Sequence, residues 1–175
     1  RLPVLLAYCD KLLQANHALE AVRVWNGLAR AGLIPHRRLD PKRGNSLTNA
    51  DFSHPPLGRG FDWKLLAVPG VSFSRSPSSV RMTISGRQPE RCRLVEQYLP
   101  LEPGRTYRLR FAYRTEKTPP ASGLRWSVRT AGKELEAEYA ALSSNDWTEG
   151  QLVFRMPAGA GLTLLSLVYE RAPGT

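Results

Sequence analysis

The side chains able to do chemistry in this chain are few, and their spacing keeps them apart. His17, His36 and His54 fall in what read as a helix, a connector and a loop. No two of them have the short spacing that places imidazoles on one metal ion, and no Gly-x-Ser-x-Gly elbow presents a serine beside them. Hydrolysis of a glycosidic bond requires two convergent carboxylates, and nothing in the spacing of Asp62, Glu90 and Glu96 pairs them. Cys9 and Cys92 are too few for a disulfide framework or a thiolate zinc site, and both read as buried thiols. The polar insert Ser85–Arg91 has no phosphate-cradling glycine pattern. No catalytic residue, cofactor or metal ligand is therefore predicted.

What remains is a surplus of cationic side chains, most of them arginine, giving a formal net charge of +10. Arginine offers a planar fork of donors that fits carboxylate or sulfate bidentately. Period-two alternation sorts these side chains by face. Tyr107, Leu109, Phe111 and Tyr113 share one phase, and Arg108, Arg110, Ala112 and Arg114 share the other. Leu124, Trp126 and Val128 oppose Arg125, Ser127 and Arg129 in the same way. If these strands share a sheet, Arg108, Arg110, Arg125 and Arg129, joined by Arg81 and Arg155, form a ligand-binding face for an acidic polymer. A solvated face cross-paired with Glu96, Glu134, Glu136 and Glu138 accounts for the same pattern, at ~0.2–1 kcal/mol per pair. An arginine-rich composition also arises from GC-rich coding. Neutral sugars need exposed rings to stack on. Trp25, Phe111 and Trp126 read as inward-facing, whereas Trp63, after the loop Ser53–Gly60, is a candidate platform, with Phe61 and Tyr139 as further candidates.

The elements that must position these groups divide the chain in three. Residues 1–34 hold two amphipathic helices, near 2–15 and 17–31, with Leu5, Tyr8, Cys9 and Leu12 on one stripe and Ala21, Val22, Trp25, Leu28 and Ala29 on the other. Residues 35–46 carry prolines, a glycine and cations without an apolar period, and read as a basic linker. From 47 to 175 the period is two. Strands are expected near 47–53, 63–67, 71–75, 79–85, 92–99, 105–114, 123–130, 134–140, 150–156 and 161–170, with Gly and Pro between them. The fold class is mainly β, a sandwich with an N-terminal helical hairpin. No apolar run approaches the ~20 residues of a membrane helix, and the first residues lack the pattern of a signal peptide. The chain opens on Arg1 and enters a helix at once, as a segment of a longer protein would.

Two resemblances follow from these residues. The helical pair resembles one tetratricopeptide repeat of about 34 residues, without the usual Trp and Gly of its first helix; a generic helical hairpin fits the same spacing. Such a unit cannot bury both faces alone, so it implies either further repeats upstream or packing against the β-region. The segment Gln97–Tyr107, in which a strand ends in a Pro-Gly turn before a long Tyr-started strand, resembles carbohydrate-binding modules of the galactose-binding-like superfold. Trp147-Thr148 before Gln151–Met156 resembles their penultimate hairpin. The resemblance covers about residues 46–170 and implies a jelly roll, an extracytoplasmic setting, a buried Trp147 and a non-catalytic role in recognising a glycan. Family modules often hold calcium near the opening strand; Ser53 occupies the carboxylate position here, leaving Asn49 and Asp51 as oxygen donors, and the final acidic strand is missing, so no metal is expected. The alternative function is a structural assembly module in which the β-region caps a helical array and the helices contact a protein. No module that reads nucleic acid is recognisable.

Overall fold

A computed structural model describes residues 1–130, 135–139, 141–159 and 161–173, with only the backbone of Glu136 and Glu138. The chain is mainly β, with two N-terminal helices and antiparallel sheets. Helix α1 spans Leu2–Gln14 and α2 spans Ala18–Arg30. Among the described residues nine strands follow: β1 Lys64–Leu65, β2 Val71–Ser76, β3 Ser79–Ile84, β4 Arg91–Leu99, β5 Thr106–Tyr113, β6 Leu124–Thr130, β7 Glu136–Glu138, β8 Thr148–Arg155 and β9 Thr163–Glu170. They form a five-stranded sheet in the order β1-β4-β9-β6-β7, a β2–β3 hairpin and a β5–β8 ribbon. No helix among the described residues is long and apolar enough to cross a membrane.

The main core lies where the apolar phases meet. Leu165 and Leu167 of β9, Val128 of β6 and Val95 of β4 pack with Leu152 and Phe154 of β8, and Phe73, Met82 and Ile84 of the hairpin lie against them. Strand β4 buries Leu94 and Val95 in succession, because its register with β9 shifts between Arg93 and Val95 and the bulge turns an extra side chain inward. At its inner end Gln97 is also buried. Its amide spends both functions on Thr48, accepting from the backbone N–H at 2.8 Å and donating to the carbonyl at 2.9 Å. That exchange replaces the strand expected near 47–53. Asn49 and Phe52 have φ of 51° and 53°, which a strand cannot contain, so this segment folds as turns held by side chains.

A second core ties the helices to the β-region. Leu6, Cys9 and Leu13 of α1 and Ala21, Trp25 and Leu28 of α2 surround Phe61 and Leu162. The buried stripe of α1 is rotated from the expected one: Tyr8 is 52% exposed, and Leu6 and Leu13 point inward with Cys9. Asp10 accepts from Gly60 N–H at 2.8 Å, and Asn16 accepts from Leu162 N–H at 2.8 Å. Gly60 has φ of +57°, and a Cβ there would lie 2.6 Å from the Trp25 ring, so only glycine lets the loop cross the helix. Packing against the β-region is thus how this hairpin covers its inner face. Residues 35–46 are pinned as well. The Asn26 side chain brackets Leu39 with two hydrogen bonds of 2.7 and 2.8 Å, and Ile34 and Leu39 enter the second core.

Candidate functional site

The β5–β8 ribbon is built by strict alternation. Tyr107, Leu109, Phe111 and Tyr113 face the core, so Thr106, Arg108, Arg110 and Ala112 face out. Register places Arg155 across from Thr106, Val153 across from Arg108 and Gln151 across from Arg110. Gly150 stands opposite Phe111, and a Cβ there would lie 2.5 Å from the Phe111 ring and 3.1 Å from Tyr139. The glycine therefore lets Phe111 lie against the neighbouring strand and make its edge contact with Tyr139 at 4.8 Å between centroids. At the other end Tyr107 accepts a hydrogen bond from Glu102 N–H at 2.8 Å, and Gly104 N–H reaches Met156 O at 2.9 Å, fixing the turn into β5.

The outward face is open and carries more cations than acids, with exposed Glu149 across from Ala112. Arg108, Arg110 and Arg155 are exposed, and none forms an ion pair among the described residues. Thr106, Tyr107, Arg108, Arg110 and Val153 line a shallow depression of about 370 Å³. From the Thr106–Arg155 pair to the Arg110–Gln151 pair is four residues, or ~13 Å at the strand rise of ~3.3 Å. Arg105, just before β5, donates to Lys42 O at 2.8 Å and brings the basic 41–43 turn to the same end.

The other expected arginines lie elsewhere, because strands that neighbour each other in sequence do not pair here. Arg125 and Arg129 are on β6 in the five-stranded sheet, so the single face of Arg108, Arg110, Arg125 and Arg129 does not exist. Arg125 donates to Glu170 Oε2 at 2.8 Å and to Gly123 O at 3.3 Å. That hydrogen bond, with the charge of Arg91 nearby, holds the Glu170 carboxyl below its usual range. Arg129 stands opposite Glu136 and Leu164 in the backbone register. Arg81, on the β2–β3 hairpin, pairs with Glu116 at 2.8 Å. Of the expected acidic partners, Glu96 pairs with Arg93 of its own strand at 2.9 Å; Glu134 and the side chains of Glu136 and Glu138 lie outside the described residues.

Trp63 is 3% exposed, donates from its indole to Asn49 O at 2.9 Å and stacks on Phe52 at 5.2 Å, so it is core rather than platform. Trp147 is the reverse. The family resemblance buries it, but it is 61% exposed beside Arg114. In the opening loop, Asn49 spends its amide on both backbone groups of His54, and Asp51 accepts from Ser53 N–H at 3.1 Å. Hydrogen bonds from Ser53 lower the Asp51 pKa.

Sequence spacing also gave no sign of a buried polar junction. Asp62 is fully buried, and its carboxylate accepts from Leu57 N–H and Trp63 N–H, both at 2.8 Å, and meets His36 Nε2 at 3.0 Å. His36 stacks on Trp25 and meets His54 edge-on at 5.6 Å, while His54 Nδ1 contacts Ser53 Oγ at 3.1 Å. Serine, histidine and aspartate are thus near one another, yet the carboxylate orients the other imidazole and does not support the one beside Ser53. The residues hold the 49–63 loop against α2. No family model, curated protein or solved structure matches the chain.

Proposed function

We propose that this chain is a non-catalytic recognition module that binds an acidic polysaccharide along the outward face of the β5–β8 ribbon. In this reading the antiparallel sheets are the layers of a jelly-roll sandwich resembling carbohydrate-binding modules. The observation that carries it is the exposure of Arg108, Arg110 and Arg155 on one ribbon face with no acidic partner among the described residues. Guanidinium stays protonated and only donates, so the face can hold uronate or sulfate groups but has no means of moving a proton. The ~13 Å row suits consecutive anionic groups on an extended chain.

Affinity electrophoresis in gels containing polygalacturonate tests the proposal. Wild type should be retarded, and Arg108→Glu/Arg110→Glu should not, whereas Arg23→Glu/Arg30→Glu, with the same charge change on exposed positions of α2, should behave like wild type. Equal retardation of all three proteins would remove the ribbon as the site.

A second reading has its own observation. Val4, Tyr8 and Leu19 on the helices are 71%, 52% and 72% exposed, as expected of an assembly module whose helices contact another protein. Wild type that ignores every anionic and neutral polysaccharide would favour it.

A further inference from the structure

The ribbon's outward phase does not stop at Arg110. Ala112 follows it, with the exposed carboxylate of Glu149 across from it, and then Arg114, just past the end of β5 and beside the loop that leads into β8. That loop carries Trp147, whose 61% exposure is unusual for so large an apolar side chain. The Arg114 guanidinium lies over the indole, 5.9 Å from its centroid. Arg114 is held in turn by Glu116 at 3.4 Å, and Glu116 by Arg81 at 2.8 Å. One side of the ring is therefore backed by protein, and most of the rest is open.

The loop beneath it is fixed. Thr115 N–H donates to Ser144 O, Ser144 N–H donates to Thr115 Oγ1 at 2.8 Å, and Thr115 Oγ1 donates to Ser144 O at 3.2 Å. Ser144 Oγ contacts Thr148 Oγ1 at 2.7 Å and donates to Asp146 O at 2.8 Å, bracing the turn on both sides of Trp147. Ser143 Oγ reaches Thr118 O at 2.7 Å, and Leu142 is buried in the main core. An apolar ring on a mobile loop would lose conformational freedom on binding; one on a braced loop has already lost it.

We infer that Trp147, backed by Arg114, is a stacking subsite that takes the apolar face of a pyranose ring in the same acidic chain whose charges lie along Arg155, Arg108 and Arg110. The inference rests on the proposed function and extends it from charge to ring recognition. Eight residues at ~3.3 Å separate Thr106 from Arg114, so the whole strip is ~27 Å long. A simple polyanion would satisfy the arginines alone. A sugar acid would satisfy both ends.

The test uses the whole chain and acrylamide quenching of tryptophan fluorescence. Of four tryptophans, Trp25 and Trp63 are buried and Trp126 is half-buried, so the quenchable emission belongs chiefly to Trp147. Saturation with polygalacturonate should shield Trp147 from acrylamide, whereas polyphosphate should bind and leave it quenchable. Trp147→Ala should weaken polygalacturonate binding roughly tenfold, on the scale of other ring-on-aromatic contacts, without moving the melting temperature. Trp147→Phe should recover part of the loss. Binding to polygalacturonate with Trp147 unshielded and Trp147→Ala unimpaired would overturn the subsite and leave the arginine face standing. Equal shielding by polyphosphate would overturn ring stacking. Shielding by a single-stranded oligonucleotide, with none by polygalacturonate, would replace the sugar with a base. Binding to neither polysaccharide nor polyphosphate would overturn both the subsite and the reading it rests on.

Discussion

Asp62→Ala removes the carboxylate that joins the opening loop to the helices, and its cost can be counted from the donors it strands. Leu57 N–H, Trp63 N–H and the His36 imidazole all lose their acceptor. A buried donor left unpaired costs ~1–3 kcal/mol. Leu57 is partly solvated and can recruit water, while Trp63 is buried and the His36 side chain is 4% exposed. Counting the two sheltered donors in full and Leu57 little, the loss should be ~3–5 kcal/mol, the range seen when one partner of a buried pair is deleted. Asp62→Asn keeps one oxygen and the shape, so it should cost about half as much. Urea denaturation at pH 7 reads both, provided the dependence on denaturant is unchanged between variants. An Asp62→Ala midpoint shift worth less than about 1 kcal/mol, which is surface behaviour, would refute the claim that this junction holds the loop to the helices.

Phe111→Ala should destabilise by ~3 kcal/mol, the low end for a core phenylalanine because the ring is only half-buried, and Trp126→Ala should cost a similar amount since the two rings touch at 6.1 Å. Chemical denaturation checks both. Burial, reinforced by the charge of Asp10, pushes the Cys9 thiol up to about 12, so iodoacetamide at pH 8 should alkylate Cys92 well before Cys9. Because the fold favours the protonated thiol, the Cys9 contribution to stability should fall as pH rises from the ordinary 9.0 toward about 12, and Cys9→Ala should flatten that limb in pH-dependent melting. A synthetic peptide of residues 1–34 should be mostly unstructured by circular dichroism, since Phe61 and Leu162 complete its core and short isolated helices are marginal.

Local pattern made most elements legible. Alternation located β2 through β9, and apolar spacing located both helices, because each depends on side chains close in sequence. What alternation does not encode is which strands pair. Arg110 and Arg125 have the same outward phase, but β5 pairs with β8 and β6 with β9 and β7, so the arginines part company. Leu47 and Thr48 look like the start of a strand, yet the backbone hydrogen bonds of Thr48 go to a glutamine 49 residues away. The His36–Asp62 contact spans 26 residues of irregular chain, and nothing near either residue announces the other. Trp63 and Trp147 each sit beside a turn, where sequence alone assigns no face. Their opposite fates follow from tertiary contacts: a backbone acceptor and Phe52 close over Trp63, while Trp147 stays 61% exposed beside Arg114.

The proposed ligand surface is the outward face of the β5–β8 ribbon. Backbone amide shifts in a nitrogen-15 correlation spectrum, recorded while oligogalacturonate is titrated into the full chain, report on that surface residue by residue. Shifts confined to residues 105–114 and 147–155, saturating together and weakening with added salt as exposed charges are screened, are the predicted result. Shifts centred on α1 and α2, or no shifts at millimolar oligosaccharide, would contradict it.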